Sequence, residues 1–223
     1  MFGFKKPLSH YFALAGVSLM IAGLATSSPL QHDDLASSGL SARAETNQTL
    51  PAFLTNTVLD PSFETDMRDV HIIYDYDAED DQGNPQKWRY ELWIFSENRA
   101  IYAIHGGPMA GRSNYQTATY QCIRPGELWQ INWLEETGTI VSIAYDIPQG
   151  KVTTLIGFSK GHWQNPTAAH GDKRNATDFQ RWRDLAKIGT QVERFMISEQ
   201  GTVVDKFRGK GDLVPIAPNA TTF

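Results

Sequence analysis

The chain has 223 residues, 41% of them hydrophobic and 11% aromatic, enough for a real core in one domain with appendages. A formal charge of −5 argues against nucleic acid as the main partner. The single cysteine, Cys122, excludes an internal disulfide and a paired-cysteine metal site, so the domain must rely on its own core.

Lys5 and Lys6 form a short basic start, and an apolar run follows over residues 11–25. That run is short for a membrane span, and Gly23-Leu24-Ala25 supplies the small residues a signal peptidase needs. Residues 1–25 are therefore expected to be an export signal. Once it is cut near Ala25, or at the second A-x-A triplet Ala42-Arg43-Ala44, a periplasmic or secreted protein remains, with no stable membrane insertion. Residues 26–61 are polar and aperiodic, which predicts a flexible arm.

From Val70 onward the pattern is mostly strands. Residues 70–76 are compact, branched and aromatic, with Tyr74 and Tyr76 on one face. An acidic, turn-rich loop spans 77–86. Residues 88–95 and 99–105 then read as a hairpin around Ser96-Glu97-Asn98. Gly106-Gly107-Pro108 would break a regular ladder, so a bend is expected there, holding Arg112 at a fixed place. Another extended run covers 114–123. Residues 127–134 alternate, with Trp129, Ile131 and Trp133 on one face, and strands are expected over 139–145 and 151–158.

Beyond a polar loop at 159–177, which carries His162, residues 178–188 form the one good helix candidate. Thr177 or Asp178 would cap it and Gly189 would stop it. A last hairpin is expected over 191–198 and 202–207 around Glu199-Gln200-Gly201, ahead of a frayed tail over 213–223. The fold class expected is mainly β: a small antiparallel barrel over residues 62–212 with one short helix in its C-terminal half. The chain has no internal repeat, P-loop or dinucleotide fingerprint.

Alternation in a barrel points Tyr74 and Tyr76 inward together. Two inward phenols beside Arg112 and Glu135 would be costly in an apolar core unless mutually paired. Those four residues therefore make either a structural polar network or a cavity for a small aromatic acid.

The order I-Y-D-Y, W-R-Y-E, I-H-G-G-P-M-A-G-R and I-N-W-L-E-E-T-G-T resembles the phenolic acid decarboxylases, whose pattern runs I-Y-x-Y, W-E-Y-E, I-H-x-G-x-x-A-G-R and S-W-T-E-P-T-G-T. The resemblance covers roughly residues 73–163 and implies a lipocalin-like barrel, a homodimer and no cofactor or metal. It places the family's catalytic residues on Tyr74, Tyr76, Arg112 and Glu135, and pocket residues on Tyr90, at the entrance, and Tyr102, with Trp133 as a further substrate contact. His105 also matches, and reads better as a structural histidine at the bend. Three departures stand out: a longer loop after Tyr76, Glu136 where the family has proline, and the export signal.

The activity so implied is decarboxylation of p-hydroxycinnamic acids (p-coumaric, ferulic, caffeic) to 4-vinylphenols and CO2 through a quinone methide. Glu135 would donate the proton to carbon, with burial favouring its acid form and Arg112 opposing it. The two tyrosines would hold one end of the substrate, and Arg112 would steer the acid group or Glu135. The alternative is an exported non-catalytic barrel that binds small aromatic acids or other apolar ligands.

Overall fold

A computed structural model describes residues 57–222. The expected export signal and nearly all of the polar arm lie outside the described residues. Seven strands run as an antiparallel meander: β1 (Val70–Glu79), β2 (Pro85–Ser96), β3 (Arg99–Ile104), β4 (Arg112–Arg124), β5 (Leu128–Leu134), β6 (Ile140–Asp146) and β7 (Lys151–Ser159). β3 pairs with β4 along its whole length, and β9 (Arg194–Arg208) fills the gap between β7 and β1. The result is a closed eight-stranded antiparallel barrel with no free edge around its circumference. A two-residue strand, β8 (Gly171–Asp172), pairs parallel with the start of β4.

The expected C-terminal hairpin is one long strand instead. Glu199-Gln200-Gly201 do not turn; residues 194–202 pair with β7 and 201–208 with β1, so Gly201 and Thr202 are flanked on both sides. A hairpin here would leave β7 and β1 as open edges, and closing the barrel satisfies both. At Gly201 a Cβ would stand 2.9 Å from Val152 Cγ2 and 3.1 Å from Tyr74 Cδ2, so glycine lets the strand cross close over the Tyr74 ring.

The helices also differ from expectation. α3 spans Ala176–Leu185, and its cap is Asn175, whose side chain accepts from the Thr177 and Asp178 amides. The polar loop holds α2 (Lys160–Gln164), capped by Ser159, and a 3₁₀ turn over Pro166–Ala169. α1 (Phe63–Asp66) closes the barrel at the β4–β5 turn. There Phe63 packs against Tyr120 and Trp129 at ring distances of 5.0 and 6.0 Å, a burial worth about 1.5–3 kcal/mol. Trp129 thus stands at this end, donating to Asp66, and not beside Glu135. The tail is docked at two points: Leu213 is buried with Trp93 and Ile101 on the outer face of β2–β3, and Thr222 is buried against Thr117.

The bend after β3 lies where the sequence puts it. The His105 and Gly106 amides both donate to Arg89 O, continuing the ladder with β2. A Cβ on Gly106 would lie 2.8 Å from the Arg89 backbone nitrogen, and Gly107 has φ +80° beneath the Trp88 ring. Arg112 then opens β4, paired with Ile104 on one side and Gly171 on the other. Pairing of β4 with β5 begins only at Ala118 and Trp133. The turn Glu135–Thr139 folds into the space between them, closed by Glu135 N–H to Thr139 O at 2.8 Å.

Candidate active site

Alternation along the strands sends Tyr74, Tyr76, Tyr90, Tyr102, Arg112 and Trp133 into one cavity inside the barrel, and the turn after β5 adds Glu135. All seven side chains singled out from the sequence line it. The rest of the wall is mainly apolar, from Leu92 and Ile104 to Phe158. Counting open space at the mouth, the hollow is about 500 Å³, lined by the rings of Tyr74, Tyr76, Tyr90, Tyr102 and Trp133. It is a narrow slot, and a flat ring suits it better than a bulky ligand.

Two polar clusters share the slot. In the first, the rings of Tyr74, Tyr76 and Tyr90 lie 5.3–5.8 Å apart in stacked and edge-on pairs. Tyr76 Oη shares a 2.6 Å hydrogen bond with Thr154 Oγ1. Burial, joined by the neighbouring phenols, pushes Tyr74 well above the ordinary tyrosine value, and burial raises Tyr76 and Tyr90 too. These are hydroxyl donors at any physiological pH. Tyr90 is less completely covered than Tyr74 and Tyr76.

The second cluster is charged. Glu135, 5% exposed, accepts from Tyr102 Oη at 2.6 Å, Arg112 Nη2 at 3.1 Å, Trp133 Nε1 at 3.2 Å and Thr137 Oγ1 at 3.4 Å. The Tyr102 hydroxyl itself accepts from Arg112 Nε and Asn114 Nδ2, so its proton can only point at Glu135. Tyr102 therefore positions Glu135, while its ring, stacked at 5.8 Å on Trp133, forms the wall.

Arg112 is 1% exposed and heavily committed. It donates to Tyr102, to Glu135, to Glu136 at 2.8 Å and to Ala169 O at 2.8 Å, with its guanidinium 3.8 Å over the Trp182 ring. Burial works against its charge, but Tyr102, Glu135 and Glu136 outweigh that and hold it above the ordinary guanidinium value. Of the two roles expected for Arg112, holding Glu135 is the one its hydrogen bonds fulfil.

Glu136, the departure from the family pattern, has its own partners. It accepts from Arg112, Asn114 Nδ2 at 2.7 Å, Gln116 Nε2 at 2.6 Å and Lys173 Nζ at 3.1 Å. Lys173 also donates to Tyr115 O and Thr222 O. Burial pulls Lys173 below the ordinary amine value against the opposing pull of Glu136. Two carboxylates thus face two cations, and the buried cluster is balanced in charge.

Sequence reasoning missed Lys173, Trp182, Thr139 and the part played by His162. His162 lines the same slot, 2% exposed, with Nδ1 2.7 Å from Thr139 Oγ1. Burial, aided by the charge of Arg112, holds its ring well below the ordinary value of 6.5. The unfolded chain takes a proton there near pH 6.5 and the folded chain does not. Stability is therefore full above pH 6.5 and falls as pH drops below it, by up to about 1.4 kcal/mol per unit. A denaturant series from pH 7 to 5 should show that slope reduced in His162→Gln; an unchanged slope would mean His162 is protonated in the fold.

His105, read as structural, lies outside the slot and shares Glu91 with His71, each at 2.7 Å. Among the described residues no group of three or more His, Cys, Asp or Glu could hold a metal ion.

The family description "Phenolic acid decarboxylase (PAD)" matches residues 65–192, more than half of the chain. The chain is also 29% identical over 97 residues to phenolic acid decarboxylase PadC of Bacillus subtilis (strain 168), an alignment covering 43% of this chain and 55% of that protein. It is 30% identical over 89 residues to a protein named probable phenolic acid decarboxylase of Vibrio cholerae, covering 40% and 46%. The chain spans about half the length of the curated relatives it matches. With its motifs lining one barrel cavity and a family match from Thr65 to Val192, the chain belongs to the phenolic acid decarboxylase family.

Proposed function

We propose that the barrel decarboxylates p-hydroxycinnamic acids such as p-coumaric, ferulic and caffeic acid to 4-vinylphenols and CO2. The observation that carries this reading is the meeting of Tyr74, Tyr76, Arg112 and Glu135, spread over 62 positions of sequence, in one narrow aromatic slot.

Direct loss of CO2 from a cinnamate would leave a vinyl carbanion that nothing in the slot stabilises. The para-hydroxyl opens another route. Its proton passes to solvent, electrons move through the ring, and Glu135 gives a proton to the carbon bearing the carboxylate. The product of that step is a quinone methide. The C–CO2 bond then breaks, its electron pair forms the vinyl double bond, and the ring oxygen regains a proton. The net reaction consumes one proton and releases one CO2, using side chains alone.

Glu135 rests among four donors, which suits a carboxylate. The tyrosine hydroxyls hold one oxygen end of the substrate, and the slot keeps water away from the ring.

The test is to incubate the purified protein with p-coumaric and ferulic acids and follow the cinnamate absorbance together with the product. Loss with formation of 4-vinylphenol is expected. Binding without loss would identify a carrier, and neither would end the proposal.

The same reading takes the working form to be an exported homodimer. The basic start and apolar run of residues 1–25 support export, and a cell-fractionation assay finding the protein in the cytoplasm would refute it. Leu134, Ile140 and Met196 are exposed and adjoin across β5, β6, β7 and β9 around Gly157, an apolar strip that supports pairing with a second copy. Ile140→Glu is expected to shift the sedimentation mass from dimer to monomer, and a monomeric wild type would contradict the pairing.

A further inference from the structure

We propose that the Nε2–H of His162 is a donor to the bound substrate, holding one of its oxygens beside Arg112 and Glu135; this rests on the phenolic-acid reading of the slot.

Three described buried side-chain polar atoms lack a hydrogen-bond partner: Arg99 Nε, Tyr145 Oη and His162 Nε2. His162 is the one of these residues that lines the slot, alongside Thr139, Arg112 and Glu135. A buried donor without a partner is expensive, on the order of 1–3 kcal/mol, and is seldom left so unless something comes to meet it.

We take the tautomer in which the Thr139 hydroxyl proton is used, since no other acceptor for it is found among the described residues. Thr139 Oγ1 accepts from the Ser159 amide at 3.4 Å, so its own proton is free to go to His162 Nδ1 at 2.7 Å. With Nδ1 accepting, the neutral ring carries its hydrogen on Nε2. The ring is held by that bond and by edge-on packing against Phe158 at 5.0 Å and 82°. Burial and the nearby guanidinium keep it neutral, so it offers a donor without adding charge to a balanced cluster.

Most of the other donors of that cluster are engaged. Arg112 donates to four protein acceptors, and Tyr102 donates to Glu135. A carboxylate or a phenol oxygen arriving there would find His162 Nε2 without a protein partner. The two are ends of one substrate, and single-ended ligands separate them: cinnamate keeps the carboxylate, 4-vinylphenol the phenol.

The experiment measures dissociation constants for both ligands, and kcat and KM for p-coumarate, in wild type, His162→Leu and His162→Gln. Leucine is expected to weaken one of the two ligands, about tenfold or more if it is the charged cinnamate and about fivefold if it is the neutral 4-vinylphenol, and to leave the other within about twofold. Glutamine, which keeps a donor, should restore the affected ligand to within about threefold. Unchanged affinities, or equal weakening of both, would overturn the proposal, the second marking a merely structural residue. Should the leucine variant fail to fold, the wild-type His162 Nε2–H proton resonance serves: it should move downfield with the contacting ligand, and an unmoved signal overturns the contact. Wild type that binds both ligands yet leaves p-coumarate intact removes the decarboxylase reading, and the ligand comparison still judges His162. Binding of neither ligand ends both.

Discussion

Glu135→Gln is expected to bind p-coumarate at least as tightly as the wild type and to turn it over about 10²–10⁴-fold more slowly, the usual worth of one acid–base group. The substitution keeps the shape of the side chain but removes its ability to carry a transferable proton. Its amide oxygen can still accept from Tyr102 and Trp133, and Arg112 stays anchored on Glu136, Ala169 and the Trp182 ring. The slot therefore survives while its acid is gone. Wild-type kcat in Glu135→Gln would remove this residue from the mechanism.

Lys173→Met is expected to be the most destabilising single change in the charged cluster. It leaves the fully buried Glu136 carboxylate with only a share of Arg112 and two amides to offset its charge. Breaking one partner of a buried pair costs about 3–5 kcal/mol, roughly 6–20 °C in Tm for a domain of this size. Adding Glu136→Gln should recover most of the loss, because the uncompensated charge goes with it. An additive double variant would show that the two side chains do not act as a pair. Activity should fall in the single variant as well, since an unbalanced Glu136 competes with Glu135 for Arg112.

The barrel was legible because strand alternation is a local property. Trp129, Ile131 and Trp133 fall on one buried face as their spacing requires, and the two glycines after β3 mark the bend that fixes Arg112. The last strand was not, because Glu-Gln-Gly reads as a turn until one knows that β7 and β1 must both be covered. The motifs carried Tyr74, Tyr76, Arg112 and Glu135 into one place. What they could not carry is the support from distant segments: Ala169, Lys173 and the helix residue Trp182 meet Arg112 and Glu136, and Thr222 meets Lys173, only in three dimensions. His162 was visible only as one polar residue in a polar loop, and its single bond to Thr139 sets it apart only once the slot is formed. Glu136, which broke the family pattern, is explained by a lysine 37 positions away.

The most direct measurement is a crystal structure of Glu135→Gln soaked with p-coumarate. The ring is expected inside the barrel between the tyrosine cluster and Trp133, one oxygen end on Tyr74 and Tyr76 and the other beside Arg112, position 135 and His162. A ligand bound outside the barrel, or a slot that stays empty at saturating acid, would contradict the account.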